Sequence, residues 1–368
     1  MHSFERSSAL LKWARRHQFA STDYYWKEGA IYPMALGYFL RAACALYRIR
    51  GEDEHGATAK EILGLLQSRS NLLAASHYPH WGLPFPWPTL EDARVVLSGD
   101  FFWDAGNPLF TGPLPAHHGY GVTTAIAGQG LLDYADCFPE ASLEDWLEGV
   151  GRWCLEDCGY RMIEGKVFFH YSPRMRHEIY NGSALVAAFL ARAGAFLGKT
   201  KWIDLAESAM ELMVRVQDEE GGWPYARERQ EIEYHYGYNL ESLAIFLRVR
   251  PNAEVEGALR RGADYYWERL IDPDGKCYDL VDKATETRLW AYGWAISAFC
   301  HCLEVSGEKR YLEYARQVAA YMETHLWDPE AGAYRFKRDD PSHYMRDEAH
   351  AAYGMARLAK EESRRASV

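Results

Sequence analysis

The 368-residue chain has an ordinary globular composition, with 48% hydrophobic and 25% charged residues, and it is long enough to bury a large core. Its net charge of −11 argues against a general nucleic-acid binder, and no apolar run reaches membrane-spanning length. Aromatic residues make up 14% of the chain, an excess that favours a sugar-stacking pocket, with core filling as the alternative.

Two kinds of helical pattern alternate along the chain. Amphipathic patterns, apolar at i, i+3, i+4 and i+7, predict six outer helices at 3–18, 54–70, 142–157, 200–217, 254–270 and 308–326. Patterns that are apolar nearly all round, and rich in Gly and Ala, predict six buried inner helices at 31–49, 118–136, 180–197, 237–249, 288–304 and 345–360. This alternation predicts an all-α fold, an (α/α)6 toroid of six helical hairpins that forms one domain over 1–368. An open solenoid of helix pairs is the alternative.

A Gly-aromatic turn recurs between outer and inner helices. Its aromatic residues are Phe168, Trp223, Tyr278 and Tyr334, which follow one another at intervals of 55, 55 and 56 residues. A fixed period of this length indicates a repeated supersecondary unit.

One long segment, 71–116, interrupts the repeat. It is rich in proline, which forbids a long helix, and in aromatic residues, which argue against a disordered linker. The segment is predicted to be an ordered insertion that acts as a lid or a binding wall. The alternative is a packing element that seals one end of the toroid.

The inner helices of such a toroid all point the same way, so their amino ends meet at one mouth. Unpaired N–H groups and helix dipoles there favour an anionic or electron-rich ligand. Five of the six inner helices open with His, Tyr, Glu or Arg, and these residue types can move protons. The candidate acids and bases are His118, Glu178, Tyr180, His235, Tyr236, Tyr238 and Glu241.

A second set of residues is predicted to bind substrate. Arg288 and Arg346 are candidate carboxylate holders, because Arg binds carboxylates through two hydrogen bonds. The candidate stacking residues are Trp81, Trp87, Trp103, Trp223 and Trp290. The remaining candidates are Asp104, His117, Asn181, Asn239, Tyr292 and Asp347.

These residues suit several activities on a carbohydrate. The first is proton removal next to a sugar carboxylate, which leads to epimerisation or β-elimination. The second is hydrolysis of a glycosidic bond by two carboxylates, drawn from Asp104, Glu178, Glu241, Glu286 and Asp347. The third is a non-catalytic binding or scaffold role in polysaccharide assembly.

No cofactor or metal site is predicted. The sequence has no P-loop, no dinucleotide fingerprint and no Gly-x-Ser-x-Gly motif. The run Cys300-His301-Cys302 falls inside an inner helix, where core packing is the expected role. Seven irregularly spaced cysteines and the absence of an apolar leader favour reduced thiols and a cytoplasmic location. The oligomeric state stays open.

Several runs of residues show a resemblance to a known family. They are 80–87, 123–125, 131–134, 180–185 and 234–243. In these runs the chain resembles a family of bacterial polysaccharide-biosynthesis toroids. That family is similar in architecture to heparosan glucuronyl C5-epimerases and N-acylglucosamine 2-epimerases, within the six-hairpin glycosidase-like superfamily. The resemblance implies a toroid that acts on a poly- or oligosaccharide. The last inner helix departs from the family, because it opens with residues 346–350 (Arg-Asp-Glu-Ala-His) in place of an Arg-Trp-x-Gln pattern, which implies an altered substrate or chemistry.

Overall fold

The structure, a computed structural model, describes residues 2–21, 28–71, 77–86, 114–175, 178–227, 232 and 234–366, which form twelve α-helices and two short β-hairpins. The outer helices are α1 (His2–Arg16), α3 (Asp53–Ser68), α5 (Glu144–Arg152, continued by a π-helical turn, Trp153–Cys158), α7 (Thr200–Val216), α9 (Ala253–Leu270) and α11 (Arg310–His325). The inner helices are α2 (Pro33–Arg50), α4 (Gly121–Cys137), α6 (Tyr180–Leu197), α8 (Tyr236–Val249), α10 (Leu289–Ser306) and α12 (Met345–Ala366). The hairpins pair β1 (Tyr160–Ile163) with β2 (Lys166–Phe169) and β3 (Trp327–Asp328) with β4 (Ala333–Tyr334), both antiparallel.

The inner helices form a closed ring. Each packs against the next in the order α2, α4, α6, α8, α10 and α12, and α12 packs back against α2. The outer layer closes as well, because Arg6 of α1 forms an ion pair of 2.7 Å with Glu323 of α11. The predicted (α/α)6 toroid is therefore confirmed, and the open solenoid is excluded. No helix among the described residues has both the length and the apolar character needed to cross a bilayer.

Small residues let the inner helices approach closely. A Cβ atom on Gly354 of α12 would lie 2.5 Å from the carbonyl oxygen of Gly293 in α10. Similarly, a Cβ atom on Gly37 of α2 would lie 2.9 Å from the carbonyl oxygen of Ile126 in α4. Real Cβ atoms do not come this close, so the narrow ring depends on glycine at these crossings.

The recurring Gly-aromatic turns pack against the next outer helix, as the Trp223 ring does against Gly262 of α9. Their glycines Gly165, Gly221, Gly275 and Gly332 all have positive φ angles, between 67° and 110°. The φ range explains glycine at each turn, because side chains strain the backbone there. The aromatic residue that follows is buried each time, and the indole Nε1 of Trp223 donates a 2.8 Å hydrogen bond to the carbonyl of Met213 in α7.

We expect Gly275→Ala to lower the free energy of unfolding by about 2–4 kcal/mol. The new Cβ atom would lie 2.2 Å from the carbonyl oxygen of Gln317 in α11, at a φ of 93°. The matched control is Gly165→Ala, because Gly165 also has a positive φ, but a Cβ atom there would have no neighbouring atom within 4 Å. The control should lose only about 1 kcal/mol. Denaturant unfolding measures both variants, and equal losses would contradict the close approach as the cause.

The described flanks of the predicted insertion pack onto the toroid. His80 stacks on Trp153 with ring centroids 4.9 Å apart, and Trp81 is fully buried with its Nε1 donating to the carbonyl of Leu66 at 2.8 Å. Gly82 forms an isolated antiparallel bridge with Gly119. The predicted binding residues Trp87, Trp103 and Asp104 lie outside the described residues.

Candidate functional site

A cluster of aromatic, imidazole and guanidinium groups lies at the amino ends of the inner helices. We call it the basin. It consists of Tyr38, His235, Tyr238, Arg288, Trp290, Trp294, Arg346 and His350. Four inner helices contribute to it, and these residues are up to about three hundred positions apart in sequence, so ring closure is what makes them neighbours.

A pair of indole rings forms one wall of the basin. Trp290 and Trp294 of α10 stack with centroids 4.9 Å apart. The imidazole of His235 lies 5.5 and 5.4 Å from these two rings, and that of His350 lies 5.8 and 4.9 Å from them. Two imidazoles therefore contact the same aromatic wall from different helices.

The tautomer of His350 follows from its hydrogen bonds. Its Nδ1 lies 2.6 Å from the carbonyl oxygen of Arg346, and since a carbonyl only accepts, Nδ1 carries the hydrogen. The lone pair is then on Nε2, which lies 3.5 Å from the hydroxyl of Tyr238. Burial, together with the charge of Arg346 and the nearby His235, holds the pKa of His350 well below 6.5. His350 is therefore neutral near pH 7 and can act as a base.

Two arginines converge on Trp290. The guanidinium carbon of Arg288 lies 4.3 Å from the ring centroid, and that of Arg346 lies 3.8 Å from it. Arg288 also donates a 2.7 Å hydrogen bond to the hydroxyl of Tyr234. Burial lowers the pKa of Arg346, and Arg288 lowers it further against the opposing effect of Asp347. This concentration of positive charge favours an anionic group on the ligand.

Four predicted site residues belong to the wall of the toroid. Tyr236 donates a hydrogen bond to the carbonyl of Gly221 and stacks on Tyr265 and Tyr266 of the outer helix α9. Trp223 packs against Tyr236, with ring centroids 5.2 Å apart.

Tyr292 stacks on Tyr321 of α11 and donates to Glu286 at 3.1 Å. Tyr180 lies against Phe168 of β2, with ring centroids 6.3 Å apart. All four face outward from the ring, because they lie on the side of their helix or turn that meets the outer layer. Trp81, buried against α3, is likewise a packing residue.

Two predicted acidic residues are occupied by ion pairs. Glu241 lies one turn deeper than Tyr238 and contacts Arg41 at 2.6 Å, and its other oxygen lies 3.5 Å from the hydroxyl of Ser297. Glu178 contacts Arg161 of β1 at 2.6 Å and Arg227 at 3.4 Å. Both carboxylates are therefore held by cations rather than turned to a ligand.

The opposite side of the mouth holds the remaining candidates. The ring centroids of His118 and Tyr120 lie 5.5 Å apart. Burial, together with the nearby charges of Arg174 and His80, lowers the pKa of His118 to about 4. Tyr120 in turn contacts Tyr171, with centroids 5.8 Å apart.

Burial raises the pKa of Tyr171 to about 12 against the opposing charge of Arg346, so this side is electrostatically linked to the basin. His117 is exposed, at a positive φ of 65°. Asn181, Asn239 and Asp347 are buried in the first turns of α6, α8 and α12.

Three residues of the basin, Tyr38, Trp294 and His350, are not among the residues predicted from the sequence. The 56-residue period would have identified two of them, because Tyr238, Trp294 and His350 are spaced by 56 residues (238 to 294, and 294 to 350). Tyr238 and Trp294 lie 3.7 Å apart, and Trp294 and His350 lie 4.9 Å apart, by ring centroids. One register position of three successive hairpins therefore supplies the centre of the basin.

The fold is shared with several solved sugar enzymes. No protein-family model matches the chain, and no curated protein matches it in sequence. Cellobiose 2-epimerase from Bacillus thermoamylovorans is 12% identical with a TM-score of 0.68, over 94% of this chain and 92% of that chain.

A family 76 mannosidase from Bacteroides thetaiotaomicron is 11% identical with a TM-score of 0.71, over 99% of this chain and 100% of that chain. A D-mannose isomerase is 11% identical with a TM-score of 0.65, over 96% and 97% of the two chains. At this identity the likeness establishes the fold alone.

Proposed function

We propose that this chain is a carbohydrate-active enzyme that moves a proton on a sugar, as an epimerase or a related lyase. The observation that supports this most is the pair His235 and His350, which meet the same indole wall from different helices. A two-base epimerase exchanges protons through two groups that lie on different sides of the inverted carbon. The resemblance in architecture to sugar epimerases agrees with this proposal.

In the proposed reaction, one neutral imidazole removes the proton from the carbon next to a carbonyl or carboxylate. The C–H electron pair moves into the carbonyl group and gives an enediol-type intermediate. The second imidazole, protonated, returns a proton to the other face of the same carbon, which completes epimerisation. If the intermediate instead expels the substituent on the neighbouring carbon, the outcome is β-elimination. Trp290 is the proposed stacking residue for the sugar ring, whereas Trp294 is fully buried.

We propose that the substrate carries an acidic group. The guanidinium carbons of Arg288 and Arg346 both lie within 4.3 Å of the Trp290 ring centroid. A carboxylate bound beside Trp290 would accept paired hydrogen bonds from these groups. The same carboxylate would make the neighbouring carbon more acidic, because it accepts the electron pair released by proton removal.

Hydrolysis is the second candidate, supported by the fold likeness to family 76 mannosidases. Paired-carboxylate hydrolysis needs two carboxyl groups on either side of the bond. Glu178 and Glu241 are held by arginines, and Glu286 accepts hydrogen bonds from Tyr292 and Tyr321. Asp347 is the one further candidate among the described residues, and the mechanism needs two carboxyl groups, so the proton-transfer route accounts for the described groups better.

The test is solvent hydrogen exchange. The protein is incubated in deuterated water with uronic-acid oligosaccharides and, in parallel, with cellobiose and mannose. Mass spectrometry and NMR then follow the label. Label at carbon 5 of a uronic acid supports the acidic-sugar epimerase, an unsaturated product supports the lyase, and label at carbon 2 of a neutral sugar supports an epimerase without the acidic requirement. Release of free sugar without label supports hydrolysis, whereas binding without any of these reactions supports a scaffold.

Two finer proposals accompany this function. We propose a role in polysaccharide biosynthesis, on the motifs shared with the biosynthetic toroids. We propose a cytoplasmic location because all seven cysteines are free thiols, which suits a reducing compartment. Fractionation of the native cells tests the location.

A further inference from the structure

A cavity lies on the toroid axis at the carboxyl ends of the inner helices, on the far side from the basin. Its volume is about 240 Å³, and all six inner helices contribute to its lining. The cations that line it are Arg41, Arg48, Arg192, Arg248, Arg357 and Lys360. We propose that this cavity binds a compact divalent anion, a phosphate group, either free or as a phosphate monoester.

The 56-residue repeat builds the rim of the cavity. Asp136, Arg192, Arg248, Glu304 and Lys360 follow one another at intervals of 56 residues, and so occupy one register position in five successive hairpins. Such a position can be filled by any polar residue at the end of a helix, yet each one here is charged. Arg48 of α2 completes the ring. The rim therefore carries four cations and two carboxylates.

The charges in and around the cavity do not balance. Asp133 is shared by Arg41 and Arg192, at 3.0 and 2.9 Å. Asp136 is shared by Arg192 and Arg48, at 3.1 and 3.5 Å.

Glu304 is shared by Arg248, Arg357 and Lys360, at 2.6, 2.6 and 2.8 Å. Glu241 adds a fourth carboxylate beneath Arg41. Among the described residues, six cations thus face four carboxylates, a surplus of two. The nearby Glu361 and Arg364 add one charge of each sign and leave the surplus unchanged; they pair with each other at 3.7 Å, and Arg364 also lies 4.0 Å from Glu304.

The cations of the cavity differ in pKa, because, against the opposing effect of burial, neighbouring acidic groups raise the pKa of Arg41, Arg48 and Arg357. Burial lowers the pKa of Lys360, and Arg357 lowers it further. Burial also lowers the pKa of Arg248, with Arg357 acting in the same direction. The Nε–H of Arg357 is buried and has no acceptor among the described residues. A dianion in the cavity would accept this donor.

Helix dipoles offer another explanation for cations at this end. The carboxyl end of a helix carries partial negative charge, and basic side chains there commonly bond to the last carbonyl groups. Within the part of the chain that the structure describes, however, none of the six cations donates to a backbone carbonyl, since their partners are carboxylates, Gln129 and His301. Their guanidinium and ammonium groups are directed to the cavity and its acids.

The geometry suits a phosphate better than a single carboxylate. The cations come from four different helices, and a tetrahedral oxyanion can accept hydrogen bonds from several directions at once. The cavity is also larger than one ion requires, since a water molecule occupies about 30 Å³. It has room for a small organic group attached to the phosphate.

The test is isothermal titration calorimetry of the full-length protein with inorganic phosphate, at constant ionic strength maintained with chloride. We expect a Kd below about 1 mM. Arg248→Gln should raise it at least about tenfold, because it removes one charged hydrogen-bond donor. The matched control is Arg316→Gln, which removes the same charge from the outer helix α11 and should leave the Kd unchanged. Circular dichroism verifies folding, and Lys360→Gln serves as the second variant if Arg248→Gln does not fold.

Each outcome has a defined meaning. Absence of phosphate binding to the wild type overturns the proposal, and so does equal weakening by Arg316→Gln or an unchanged Kd in the cavity variant. A second titration with glucose 6-phosphate separates the two sources of the phosphate group. Tighter binding of the ester than of inorganic phosphate supports a phosphate monoester, and binding of inorganic phosphate alone supports the free anion.

Discussion

His350→Asn is expected to lower the rate of epimerisation by about 10²- to 10⁴-fold, the usual contribution of a general acid or base. The Asn amide can replace the Nδ1–H bond to the carbonyl of Arg346, but it has no basic nitrogen at the position of Nε2. His235→Asn should have an effect of the same size. The measurement is formation of the epimer, followed by NMR with whichever sugar exchanges label in the wild type.

The two variants should differ in a second measurement. If each imidazole serves one face of the carbon, each variant keeps solvent exchange for the epimer whose proton the remaining imidazole removes. His350→Asn and His235→Asn should therefore retain exchange with opposite epimers. Loss of both exchanges in either variant would contradict the two-base mechanism.

The pH profile gives a further readout of the same pair. His350 must be neutral to accept a proton, and burial holds its pKa well below 6.5, so the acidic limb of the wild-type pH profile should lie below pH 6.5. His350→Asn should lose this acidic limb. The control is His55→Asn, because His55 is also buried but contacts Ser8 in the outer layer. An equal loss of activity in the control would show that stability, not chemistry, is affected.

Most of the fold could be predicted from local patterns. The inner helix predicted at 237–249 is Tyr236–Val249, and the one predicted at 180–197 has these bounds in the structure. Hydrophobic periodicity and turn glycines are local signals, so they can be recognised in the sequence without knowledge of distant contacts. Ring closure followed from the number of hairpins. The segment 87–113 carries no such periodic signal and lies outside the described residues.

The site is less predictable than the fold, because it depends on the angular position of each residue around its helix. Tyr236 and Tyr238 both fall in the opening of α8, but two residues along a helix turn by about 200°, so they face opposite sides. Tyr238 enters the basin, whereas Tyr236 packs on the outer helix. The 56-residue period would have fixed the phase, because Tyr236 and Tyr292 share one register position and Tyr238 shares another with Trp294.

Partners that are distant in sequence remained beyond prediction. Glu241 follows Tyr238 by three residues in α8, so both lie on the side of the helix that faces the axis. Its partner Arg41 comes from α2, 200 residues earlier, and no spacing in the sequence connects the two. Without that partner a buried glutamate resembles a catalytic base. With it, the same residue becomes half of an ion pair that forms the floor of the basin.

Loss of the ion pair in that floor is expected to have a large effect on the stability of the fold. Arg41→Met is expected to lower the free energy of unfolding by about 3–5 kcal/mol, because it leaves the Glu241 carboxylate buried without its cation. Both side chains of the pair are only 2% exposed. Asp133 keeps Arg192 at 2.9 Å, so the effect falls mainly on Glu241. The measurement is denaturant unfolding followed by fluorescence.

The double variant Arg41→Met with Glu241→Leu tests the cause. Replacing both charges removes the unpaired carboxylate, so the double variant should recover part of the stability lost in the single one. The control is Arg152→Met, which breaks an exposed pair with Glu156 and should change stability by less than about 1 kcal/mol. If the double variant is no more stable than Arg41→Met, the loss comes from packing.

Lost packing is the alternative cause of the destabilisation, because the guanidinium carbon of Arg41 also lies 4.0 Å from the ring centroid of Tyr353. The ring centroids of Tyr353 and Tyr38 lie 5.5 Å apart, and those of Tyr38 and His350 lie 4.2 Å apart. This chain of rings connects the ion pair to the imidazole that we propose as a base. A double variant that regains stability but not epimerisation would show that the charged floor positions His350, in addition to holding the ring together.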